Sequence, residues 1–175
     1  MQSLRLTQRC VGLTLAALVF IGVGLATSSS AATGQSEHLL ITIDMVGNTQ
    51  TFNAAGPAAG SGTLSNISST SRGHHNSGLS LFVFSAGVSS GSTFTVSHAG
   101  RTTKPRLNHR ACTVTNKEYG TFRVTAATGS LAGLSGSGHY KGSAASTYST
   151  RTGCDANSNP ITSVEVISAS GTFSN

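Results

Sequence analysis

GTFRVTAATGSLAGLSGSGHYKG, residues Gly120 to Gly142, is the stretch whose reading decides the fold. Over Gly120–Thr125 the apolar Phe122 and Val124 alternate with Thr121, Arg123 and Thr125, the period-2 signature of a half-buried strand. Gly129, Gly133, Gly136 and Gly138 follow at short intervals. Glycine is favoured there by positive φ, by a bulge or by close backbone approach. A second strand then runs on through Tyr140. Two strands and a glycine-studded connection make a hairpin, and the three glycines Gly129, Gly133 and Gly136 are its expected structural corner, where a Cβ strains the backbone or strikes a neighbouring strand. Gly142 is expected to lie in the exposed middle of the second strand and to tolerate valine.

The rest of the chain repeats this rhythm. His38–Met45 sets Leu39, Ile41, Ile43 and Met45 against Leu40, Thr42 and Asp44. Short strands are expected over Asn48–Phe52, Gly62–Ile67, Ser92–His98 and Cys112–Thr115, with Leu79–Val88 the most apolar and Ile161–Phe173 the last. Ser68–Gly78 and Ala99–Ala111 read as a polar and a basic loop. No window after Ala32 has a 3.6-residue period with good helix formers. About eight strands at hairpin spacing, without crossover helices, predict an all-β, eight-stranded antiparallel barrel, closed so that Ser/Thr-rich edges are not left bare. A two-sheet β-sandwich satisfies the same alternation. Leu79–Val88 is apolar on both faces, with Leu81 and Val83 on one and Phe82, Phe84 and Val88 on the other, so its outer face needs a cover from the chain or from another subunit.

Thr128-Gly129-Ser130-Leu131-Ala132-Gly133-Leu134-Ser135-Gly136 resembles the glycine-rich hairpin of the allene oxide cyclase and dirigent barrel superfamily, and its secreted bacterial members in particular. Ala126-Ala127 stand where that hairpin usually has Gly-Gly, and Leu131 replaces its aromatic residue. The resemblance implies a barrel, an oligomer (a trimer in the cyclases and dirigent proteins), and a cavity that encloses and orients a reactive substrate. It carries no catalytic residue onto this chain, because it is secure only at the hairpin.

Residues 1–32 read as a signal peptide ahead of a single domain, 33–175. Arg5 and Arg9 precede the apolar Val11–Ala26, which is too short and too glycine-rich to span a membrane comfortably, and Ser30-Ala31-Ala32 suits cleavage after Ala32. The expected mature chain carries nine Lys/Arg against five Asp/Glu, a formal +4, with no transmembrane span and a secreted, extracellular destination. It retains two cysteines, Cys112 and Cys154, which an oxidising compartment is expected to join in a disulfide.

Candidate chemistry is sparse. Apolar neighbours are expected to turn inward, which leaves Asp44 (between Ile43 and Met45) and Glu165 (between Val164 and Val166) outside and solvated. In the opposite register either becomes a desolvated carboxylate in the cavity, a candidate base, and Tyr140 is the third cavity candidate. Ser137 and His139 share a strand face but lack an orienting acid and an oxyanion hole. His74-His75 with Arg72 could grip a metal or an anion but reads more simply as a solvated loop, His109 with the two cysteines lacks metal-site spacing, and no metal or cofactor is expected. Arg101, Lys104, Arg106 and Arg110 form a basic run without an acid, a candidate site for polyanions. With no aromatic between His98 and Arg110 on which a base can stack, the run does not point to nucleic acid. Two functions follow: a non-catalytic secreted barrel that binds a small apolar ligand or a surface polymer, and a cyclase-like or dirigent-like barrel. The lumen discriminates. Packed shut by Phe and Leu it favours the first; open, with Asp44, Glu165 or Tyr140 inside, the second.

Overall fold

A computed structural model describes residues 34–175; the leader expected over 1–32 lies outside the described residues. Nine strands run in chain order: β1 (Gln35–Asp44), β2 (Thr49–Ala55), β3 (Gly60–Arg72), β4 (His75–Ala86), β5 (Thr93–Thr102), β6 (Arg106–Asn108), β7 (Thr113–Thr128), β8 (Ser135–Thr147) and β9 (Thr162–Ser174). All pairings are antiparallel in one sheet, and β5 pairs with β7, which closes eight strands into a barrel. A single closed sheet rules out the sandwich. β6 lies outside the ring, paired only with β7 beyond the end of β5.

Several expected boundaries change: β5 takes in the first four residues of the expected basic loop, and the strands expected over Cys112–Thr115 and Gly120–Thr125 are one strand, β7. The basic loop contains β6, whose three residues are too few to show alternation. Ser68–Gly78 is not a loop: β3 and β4 stay paired up to Arg72 opposite His75. Val88, 81% exposed, lies in the turn after β4 rather than on its inner face. Leu79, Leu81 and Val83 face outward on β4, and Val83 remains exposed.

The barrel is filled at one end. Phe52, Phe82, Phe84, Phe94 and Phe173 are each no more than 2% exposed. Phe52 meets Phe82 edge-on at 5.0 Å between centroids, and Phe82 stacks on Phe94 at 4.6 Å. Burying each ring contributes roughly 1.5–3 kcal/mol, so this plug is the main apolar core. The hairpin glycines shape its rim. Gly129 (φ +66°) starts a 3₁₀ turn, Gly129–Leu131, and Gly133 has φ +91°. A Cβ on Gly136 would lie 2.8 Å from the Thr172 carbonyl oxygen and run into the Phe173 ring.

Candidate functional site

Toward the other end the lumen stays open. A cavity of about 220 Å³ extends from the plug residue Phe82 to a rim at Ser69, Ser71 and Ser77, which are exposed. One wall is apolar. Leu39, Ile41 and Ile43 of β1 face Ile167 and Ala169 of β9, and Leu64, Val96 and Phe122 continue the lining. A β-bulge at Ile67 turns that side chain out to solvent and leaves Asn66 and Ser69, three residues apart, both on the lumen side.

The other wall is polar. Glu165 of β9, opposite Ile43, and Glu118 of β7, opposite Gly142, both line the cavity with Tyr140 of β8, His98 of β5 and Asn76 of β4. Glycines make the room. A Cβ at Gly120 would lie 2.7 Å from Tyr140 Cε1, and one at Gly100 would strike the Tyr140 hydroxyl and stand 3.0 Å from Asn76 Oδ1. The phenol therefore lies across two paired glycines, its ring replacing their missing side chains. A Cβ at Gly142 would lie 3.0 Å from Glu165 Oε1, 3.2 Å from Ile167 Cγ1 and 3.4 Å from Glu118 Cβ. Gly142 is thus buried between the two acids, which corrects its expected place on the exterior.

The electrostatics follow from burial. Desolvation, reinforced by the Glu118 charge, raises the Glu165 carboxyl to about 7, so at neutral pH it is about half-protonated. Desolvation, then the hydrogen-bonding and charge of Glu118 and the charge of Glu165, pushes the Tyr140 phenol upward. Desolvation lowers His98 against the pull of Glu118 and favours its neutral form. The Tyr140 hydroxyl lies in reach of Glu118 and Asn76 but makes a well-formed hydrogen bond with neither; it and Asn76 Oδ1 are buried without a partner. Unsatisfied buried oxygens are rare and each carries a desolvation penalty.

The expected site residues separate. Tyr140 and Glu165 line the lumen together. Glu165 does so although flanked by valines, because β1 sets the register: Ile41 opposite Ile167 and Ile43 opposite Glu165 force Val164 and Val166 outward. Asp44 is not in the cavity. Its Oδ1 accepts from the backbone N–H of Val46 (3.0 Å) and Gly47 (2.9 Å), so it shapes the β1–β2 turn. Ser137 and His139 are exposed on the outer face, as are His74 and His75 at the β3–β4 turn. Among the described residues no three His, Cys, Asp or Glu are grouped to hold a metal. Cys112 and Cys154 form a disulfide, Cα–Cα 4.9 Å, tying the start of β7 to the loop after β8.

Sequence reasoning passed over three interior groups. Glu118 and His98 carry no motif; parity counted from Phe122 and Val96, four and two residues away, would have placed both inside. Glu37 is fully buried at the closed end. Its Oε2 accepts from the Ala58 N–H at 2.9 Å, which ties down the β2–β3 turn, while Oε1 has no partner and burial raises its pKa.

Arg101, Lys104, Arg106 and Arg110 are all exposed. Register adds to them: Arg72, His75, Arg101, Tyr119 and Lys141 are successive cross-strand neighbours on the outside of β3, β4, β5, β7 and β8. At strand spacing this row is about 19 Å long, and its middle holds an exposed aromatic, Tyr119. All three glutamates, Glu37, Glu118 and Glu165, point inward, which leaves the barrel exterior more basic than the net charge suggests. Compared with known proteins, the chain matches no family profile, no curated protein and no solved structure.

Proposed function

We propose that this protein is a secreted, non-catalytic barrel that binds one small molecule, an apolar body with a single polar end, in its lumen. The observation that carries the reading is the two-sided cavity: aliphatic side chains of β1 and β9 on one wall, and the buried, unpartnered Tyr140 hydroxyl and Asn76 Oδ1 on the other. An eight-stranded barrel is just wide enough to hold one small ligand. A cavity of about 150 Å³ holds benzene, so 220 Å³ suits a substituted ring of about that size. The cysteine pair, joined in a disulfide, and the leader-like start support an extracellular location. The exposed β4 face supports self-association, which in the resembled superfamily is trimeric. The test is methyl NMR with 2-phenylethanol. Shifts are expected at Leu39, Ile41, Ile43 and Ile167; shifts at the outward Leu40, Val164 and Val166 instead would refute it.

By the criterion set from the sequence, an open lumen with Glu165 and Tyr140 inside favours a cyclase-like or dirigent-like barrel, so that reading stands beside the first, which rests instead on the aliphatic wall and the unpartnered oxygens. Glu165, with a pKa near working pH, is suited to proton transfer on an enclosed substrate. A second, exterior site for an anionic polymer is favoured by the basic row centred on Arg101 and Tyr119, which extends the candidate Arg101, Lys104, Arg106 and Arg110.

A further inference from the structure

We infer that the lumen selects a small primary amine, its apolar body against β1 and β9 and its ammonium between Glu118, Glu165 and the Tyr140 oxygen. This rests on the lumen being the ligand site and goes beyond it by fixing the charge of the ligand.

The argument starts from what the polar wall lacks. An ammonium group brings three donors and no acceptor. The wall is rich in acceptors for them: two carboxylates, an amide oxygen and a phenol oxygen, the last two without a hydrogen-bond partner among the described residues, beside the donors that Tyr140, Asn76 and His98 also carry. The Tyr140 side chain is only 7% exposed, so its oxygen has little recourse to water. The two glutamate side chains flank one backbone gap: a Cβ at Gly142 would stand 3.0 Å from Glu165 Oε1 and 3.4 Å from Glu118 Cβ, and the Glu118 charge acts on the Glu165 carboxyl. Strand by strand, the titratable groups lining the cavity are Glu165 from β9, Tyr140 from β8, Glu118 from β7 and His98 from β5. β1, β3 and β4 contribute none, and among the described residues no lysine or arginine lines it.

No resident cation therefore answers the two acids. In the empty barrel a proton held on Glu165 relieves their repulsion, with His98 kept neutral by burial. An ammonium performs the same task and adds charge-assisted hydrogen bonds. Its arrival drives the Glu165 proton into the buffer, so binding strengthens as pH rises through 7. A carboxylate ligand would add a third negative charge, and an alcohol brings one donor where three are wanted.

The test is titration calorimetry at pH 7.5 with 2-phenylethylamine, 2-phenylethanol and 3-phenylpropanoate, with methyl NMR locating each ligand. The amine is expected to bind about tenfold or more tighter than the alcohol, with the propanoate weakest and with net proton release seen as a buffer-dependent heat. Glu118→Gln/Glu165→Gln should abolish the preference while alcohol binding survives. If that variant fails to fold, the wild-type pH profile decides: amine affinity should fall below pH 6 and alcohol affinity should not. Equal binding of amine and alcohol, or an amine preference that survives both substitutions, overturns the amine assignment and leaves the lumen reading intact. No lumen shift with any of the three overturns both.

Discussion

Replacing Glu165 with glutamine should stabilise the protein at alkaline pH and not at acid pH. In the unfolded chain this carboxyl ionises near 4.5; in the barrel desolvation and Glu118 hold it to about 7. Below about pH 4.5 both states are protonated and the group is neutral to stability. Between 4.5 and 7 the unfolded chain releases the proton while the folded chain keeps it, so stability falls as pH rises. Above 7 the loss is complete. One pKa unit is worth about 1.4 kcal/mol, which sets an upper bound of roughly 3.5 kcal/mol for this shift. Glu165 is only partly buried, and discounting for solvent screening leaves about 1.5–2 kcal/mol at pH 8. Glu165→Gln keeps the shape and removes the ionisation. Urea unfolding at pH 4, 6 and 8 should show it more stable than wild type by about that amount at pH 8, by less at pH 6, and not at pH 4. A wild-type-to-variant difference that is the same at pH 4 and pH 8 would refute the reasoning.

Other outcomes follow from the same structure. Gly129→Val and Gly133→Val, at φ +66° and +91°, should each destabilise by about 1 kcal/mol or more in thermal melts. Gly142→Val should do likewise by crowding Glu165, Ile167 and Glu118, whereas Gly73→Asn, at φ +62° in open space, should melt as wild type does. The intact mass of the mature chain should rise by two hydrogens on reduction, with no alkylatable thiol beforehand; two such thiols would contradict the Cys112–Cys154 bond. Retention on heparin should be salt-sensitive and weaken sharply in Arg72→Ser/Arg101→Ser/Lys141→Ser; retention unchanged in that variant would remove the exterior site.

Much of the barrel is written in the sequence as alternation. Leu39, Ile41 and Ile43 on the cavity wall, and Phe82, Phe84 and Phe94 in the plug, are legible because burial inside the barrel demands apolar side chains at every second position. The polar end could not be read that way. Where the lumen opens, lining positions carry Asn66, Ser69, Ser71 and Asn76, so paired strands lose their apolar signature and resemble a loop. Glu165 shows the same limit more sharply. Val164 and Val166 suggest an outward acid, but Ile167, Ala169 and Phe173 fix the parity of β9 and turn the valines out. The local triplet misleads where the whole strand does not. What brings Glu165, Glu118 and Tyr140 together is register across three strands, β7, β8 and β9, a non-local property that no short motif records.

The most direct test of the lumen as a ligand site is a crystal structure of the protein soaked with 2-phenylethylamine. Density is expected with the ring against Ile41 and Ile167 and the nitrogen within hydrogen-bond reach of Glu118 or Glu165. An empty lumen, with the amine bound only on the barrel exterior, would contradict it.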